Sequence, residues 1–192
     1  MGRFTVIPTD TFDNLQLDAG VLLNTFDPAN PRAPRDSEII TATTGGIQAK
    51  LEPTYSDFGE DVDNCPIRVK ELQHLDSWLG SIIFTALETS ADVIKMAVGA
   101  ADITEATVYD KVTPRRNLSQ LDFQTIWWVG DKADGGAIAI ELINALSTGG
   151  FDLKTTKSGK GQLSCTITGF VSMANQNVVP LNIYSIDPPE TT

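Results

Sequence analysis

The chain has 192 residues and is 41% hydrophobic and 20% charged, which is long enough for one domain with a substantial core. Its net charge of −11 is uneven: residues 1–110 hold 18 Asp/Glu against 7 Lys/Arg, whereas residues 111–192 hold 7 of each. Such a balance repels polyanions and excludes a DNA-gripping protein, which needs Lys and Arg to displace phosphate counterions.

From the N-terminus, residues 1–37 carry clusters of Pro, Asp and Asn and read as an irregular arm. The opening MGRFTVIPTDTFD has no apolar core of a secretory signal, so synthesis in the cytoplasm is expected. No apolar run approaches the ~20 residues of a membrane span. The first strand signal is at 47–52, where Ile47, Ala49 and Leu51 alternate with Gln48, Lys50 and Glu52. Residues 53–66 lose that pattern and read as a long irregular loop. Strands are predicted next at Ile67–Leu75 and Ser81–Leu87.

Ser90 and Asp92 form a helix start, and Val93, Ile94, Met96, Ala97 and Val98 follow at helical spacing to near Ala101. Residues 102–120 read as irregular. A strand is predicted at Phe123–Val129, with Trp127 and Trp128 on opposite faces, so at least one belongs to the core. Residues 136–150 (GAIAIELINALSTGG) read as strand from the alternation of Ile138, Ile140 and Leu142, although the closing Gly-Gly would also cap a helix. Phe151–Thr156 and Gly161–Met173 read as a hairpin about the turn KSGKG. In its second strand Leu163, Cys165, Ile167, Val171 and Met173 point one way, while Gln162, Ser164, Thr166, Thr168 and Ser172 point the other. A last strand is predicted at Val178–Ile186.

Chemistry is sparse. His74 is the sole imidazole, so any Ser/His/Asp or Cys/His site would have to use it. It lies in a strand pattern and reads as a surface or packed strand residue, and a His-based metal site would need several carboxylates beside it. Cys65 and Cys165 lack a second Cys or a His at ligand spacing, and Cys165 takes an apolar strand position as a buried reduced thiol. The acidic run DFGEDVDN, residues 57–64, lacks the spacing and terminal Glu of a calcium loop. No phosphate-cradling glycine loop occurs. No catalytic, cofactor-binding or metal site is assigned, and the chain is not expected to be an enzyme.

Two blocks carry a likeness: TGGIQAKLEPTYSDFGEDVDNCP with KELQHLDSW (residues 44–78), and TPRRNLSQLDFQTIWWVGD with GGAIAIELINALSTGGFDLKTTKSGKGQ (residues 113–162). Together they resemble the major tail tube protein of long, non-contractile-tailed bacteriophages and prophages of Gram-positive hosts, over about Ala19 to Ile183. The resemblance implies a mainly β fold with one helix, in which two packed antiparallel sheets form a barrel-like sandwich across a single domain. It implies hexameric rings stacked into a virion tail tube, with a long loop (about 53–66) reaching the next ring. Asp57, Glu60, Asp61 and Asp63 of that loop would then meet Arg115 and Arg116. Expected partners are further copies of the chain, the tape-measure protein, tail terminator and distal tail proteins, and double-stranded DNA passing without specific binding. No cofactor and no membrane are expected. Alternatives are another ring-forming virion or secretion-tube component, and a monomeric β-sandwich ligand-binding module with an aromatic-floored groove.

Overall fold

The computed structural model describes residues 6–189. Ten strands and one helix follow one another: β1 (Val21–Leu23), β2 (Thr43–Asp57), β3 (Gln73–Ala86), α1 (Ala91–Val98), β4 (Ala101–Glu105), β5 (Asp110–Pro114), β6 (Gln124–Asp131), β7 (Ala137–Ser147), β8 (Asp152–Lys154), β9 (Gln162–Gly169) and β10 (Leu181–Ile186). The mainly β fold with a single helix is as expected. Eight strands form one antiparallel sheet in the order β1-β6-β7-β9-β3-β2, with β10 added to β7 and β8 to β9. The second sheet is the β4–β5 hairpin alone, and the large sheet does not close into a barrel.

Layering within the large sheet comes from β7. Its first half pairs with β6 on one side and β10 on the other, whereas its last residues, Ala145–Ser147, pair with β9. The strand turns at Asn144, a non-glycine residue at φ 48°, a region that Asn tolerates better than most side chains. A bulge in β6 between Gln124 and Ile126 follows the same bend. The two wings then face a common core. Leu22, Ile126, Leu142 and Leu181 come from one wing, and Ile82, Phe84, Leu163, Cys165 and Ile167 from the other. Each fully buried Leu or Ile contributes roughly 1.5–3 kcal/mol.

The wings approach closely beside Gly169. A Cβ there would lie 2.8 Å from Leu142 Cδ1 and 2.9 Å from both Cβ and the carbonyl oxygen of Pro180. Helix α1 caps one end of this core. Ser90 accepts from the Val93 amide at 3.5 Å, Val93 and Ala97 are buried, and Ser147 Oγ donates to the Ala97 carbonyl at 2.6 Å. The helix stops at Val98, short of the expected Ala101, because residue 99 leaves helical geometry at φ 85°.

Several expected boundaries are corrected. Residues 53–57 are strand, not loop: β2 pairs with β3 from Thr43↔Ala86 to Asp57↔Gln73. Pro53 is tolerated because β2 is an edge strand, where a missing N–H costs no ladder bond. The two strands expected at Ile67–Leu75 and Ser81–Leu87 are one strand, β3, and residues 67–72 precede it. Residues 102–120 contain β4 and β5. Residues 136–150 are strand, as read. Beyond Gly169 the expected alternation ends, and Val171 and Met173 are exposed.

Candidate functional site

The surface with most to explain is the outer half of the β2–β3 hairpin. Strand β9 pairs with β3 only along Ser81–Ala86. From Gly80 outward, β3 keeps β2 as its one partner among the described residues, and β2 has none on its other edge. Residues 52–79 therefore form a two-stranded arm with both edges open. An isolated hairpin of this kind is marginal in water, and open edges invite pairing with another chain. The arm is also apolar where it meets solvent: Tyr55, Phe58, Ile67, Leu75 and Leu79 are exposed.

Asp57 closes the tip. Its carboxylate accepts from the Gly59 amide at 2.9 Å and from the Arg68 amide at 3.0 Å, while the Phe58 amide donates to the Leu72 carbonyl at 3.0 Å. The Gly59 amide, ahead of the other donors, lowers the carboxyl pKa below its ordinary value. Gly59 is buried in this turn, and a Cβ there would sit 2.8 Å from Cys65 Sγ and 2.9 Å from Leu72 Cδ1. His74 lies exposed on β3 and stacks on Phe58 with ring centroids 5.4 Å apart. A surface or packed strand histidine is what the sequence led us to expect.

The acids named from sequence thus divide by role. Asp57 is engaged in holding the loop, whereas Glu60, Asp61 and Asp63 are exposed on it. Between residues 52 and 76 the arm carries seven acids against two bases, so its charge calls for a basic partner.

The two candidate arginines also divide. Arg115 is held within its own chain, with Nε 2.9 Å from Asp102 Oδ1 and Nη2 against Asp122 Oδ1. Asp122 is nearly buried, at 3% side-chain exposure, and its other oxygen accepts from the Ser119 amide at 2.7 Å. Arg116 is exposed. The arginine pair and the acidic loop are not brought together within one copy.

Trp127 and Trp128 fall on opposite faces of β6, as expected. Trp127 packs with Leu23 and Ala139 beneath Phe26 and Tyr184, and Trp128 leans on the main core with Nε1 donating to the Ala19 carbonyl at 2.9 Å. Neither indole floors an open groove. Among the described residues no group of three His, Cys, Asp or Glu side chains is placed to hold a metal ion. No helix there is long and apolar enough to cross a membrane.

Sequence reasoning missed the open edges of the arm, because residues 53–66 read as a loop. The unusual length of the segment between two strand signals was the available sign. No protein-family model matches the chain, and no curated protein matches it. Among solved structures it is similar to a chain in the tail of an empty gene transfer agent particle with C6 symmetry, and to one in the virion of the native gene transfer agent particle. In both cases the TM-score is 0.42 at 9% identity, over 80% of this chain and 92% of the other.

Proposed function

We propose that the chain is a structural subunit of a phage-type tail tube, assembling into rings that stack around a lumen through which DNA passes. The observation that carries this reading is the β2–β3 arm, whose open edges and exposed Tyr55, Phe58, Ile67, Leu75 and Leu79 are satisfied by contact with a second copy. The likeness of residues 44–78 and 113–162 to the tail tube family supports the same assembly, in hexameric rings. The partners proposed with it are the tape-measure, terminator and distal tail proteins.

Charge fits the task. An acidic wall repels a passing duplex instead of binding it, and only carboxylates within about 8 Å of the DNA act at physiological salt. Glu60, Asp61 and Asp63 at the arm's tip are proposed to reach Arg116 of the next ring, with Asp57 holding the loop in shape and Arg115 fixing the segment that presents Arg116. The monomeric binding-module alternative would require an aromatic-floored groove, and both β6 indoles are committed to packing.

Negative-stain electron microscopy of the concentrated chain at neutral pH tests the reading. Rings or hollow tubes are expected. A chain that stays monomeric, even with preformed tube ends added as seeds, would overturn it.

A further inference from the structure

The wing built from β2, β3 and β9 carries opposite charge at its two ends. Register fixes which end is which: Asp57 pairs with Gln73 at the arm, and at the far end Ala86 pairs with Thr43 and with Leu163. Lys154 pairs with Gln162, one residue beyond Leu163, so the turn at 155–161 projects past that far end. Strand β3 has 14 residues, which sets the arm's tip and this turn about 40 Å apart along the strands.

The tip is the acidic end, with Glu60, Asp61 and Asp63 exposed beside exposed Val62 and Ile67. The turn is the basic one. Lys154, Lys157 and Lys160 are all exposed and have no ion-pair partner among the described residues, and Phe151 and Leu153 beside them are exposed too. Asp152 is the one acid between residues 151 and 160. Glu88, which follows β3 at this end, accepts from the Ala42 amide at 3.0 Å.

Arg116 brings one positive charge to three exposed carboxylates, which leaves the tip charge for a second cationic partner. The other lysines without an ion pair do not cluster: Lys50 is in mid-β2, Lys70 on the arm itself, Lys95 on α1 and Lys111 beside Asp110. A surface that complements the opposite end of its own molecule makes a head-to-tail contact, which repeats along an axis instead of closing a dimer.

We infer that the arm's tip in one copy docks on the turn of the next, with Glu60, Asp61 and Asp63 meeting Lys154, Lys157 and Lys160. The exposed apolar side chains of both ends are covered in the same contact. This rests on the chain stacking as proposed above, and it names a second cationic surface that the arm reaches.

The test uses the full-length chain in a Cys65→Ser background, with Asp61→Cys and Ser158→Cys in the same molecule, concentrated at neutral pH and mildly oxidised. The two positions are too far apart to join within one copy. A ladder of disulfide-linked trimers and longer species is therefore expected, whereas either single variant stops at a dimer. Adding Lys157→Glu and Lys160→Glu should cut the ladder about tenfold, and Glu60→Lys with Asp63→Lys in that same chain should restore it. Dimers alone, a ladder undiminished by the lysine reversals, or no recovery with the compensating pair would each overturn the inference. Tubes without the ladder would sink this contact and leave the tube reading standing. The ladder in a sample without rings or tubes would do the reverse.

Discussion

Asn144 and Phe170 hold each other across the bend of the large sheet: the Asn144 amide Nδ2 donates to the Phe170 carbonyl at 3.0 Å, and the Phe170 amide donates back to the Asn144 carbonyl at 3.2 Å. This exchange sits where β7 leaves β6 and β10 and joins β9. Asn144→Ala removes the side-chain bond and puts a Cβ-bearing residue with no local hydrogen bond at positive φ. A loss of about 1–3 kcal/mol is expected. Asn144→Gly loses the bond but relieves the backbone, so it should cost less. Urea unfolding of the three proteins checks the order, and coincident midpoints would mean that the bend is set elsewhere.

Reversing the two neighbouring arginines should have unequal effects. Arg115→Glu leaves Asp122 nearly buried beside a like charge and should destabilise the monomer by roughly 1–3 kcal/mol. Arg116→Glu changes an exposed side chain, so the melting temperature should stay within about 1 °C while stacking of rings is lost. Thermal melts beside electron micrographs separate the two. Long tubes from Arg116→Glu would remove that residue from the inter-ring contact.

Tightness beside Gly169 gives a third expectation. Gly169→Ala would press a methyl group on Leu142 and on the Pro180 carbonyl, a backbone atom with little room to yield. A cost of about 1–3 kcal/mol is expected, read from the same urea curves. A variant as stable as the parent would show that β10 can move away from β9 freely.

What was legible in the sequence follows burial. β7 and β9 were readable because Ile140, Leu142, Leu163, Cys165 and Ile167 are buried on one face and impose a period of two. β4 and β5 were not, since Asp102, Thr104, Lys111 and Thr113 are exposed and the hairpin is held by backbone pairing. β3 looked like two strands because its outer half, from Gln73 to Leu79, pairs with β2 alone among the described residues. The acidic cluster of the arm was visible as composition. That Asp57 serves the loop and Arg115 serves Asp122 depends on atoms brought together by the fold, the Arg68 amide and the Asp122 carboxylate, for which local spacing gives no signal.

Acid should loosen the segment between Asn24 and Glu38 before the core. The Arg32 guanidinium, and then the Arg35 amide, hold the Glu38 carboxyl down to about 2 from an ordinary 4.5. A carboxyl whose pKa is depressed by folding stabilises above its unfolded value, and that contribution is lost as pH falls through the folded one. Amide exchange in residues 24–38 should therefore accelerate as pH drops from 4.5 to about 2, after correction for intrinsic rates. Glu38→Gln should remove the pH dependence in that window. An unchanged profile in Glu38→Gln would assign it to another group.

The two thiols should react very differently. Cys165 is 1% exposed in the core between β3 and β8, and burial pushes its thiol up to about 11, so the thiolate that reacts is scarce at pH 8. Cys65 is half-buried in the arm's tip, and no disulfide joins the two. Native protein should therefore label once with a soluble thiol reagent at pH 8, at Cys65, and twice in denaturant. Assembly adds a further reading: if the arm docks on a neighbour, Cys65 should become protected in tubes while Cys165 stays silent throughout. Equal labelling of Cys65 in free chain and in tubes would place the tip of the arm outside the contact.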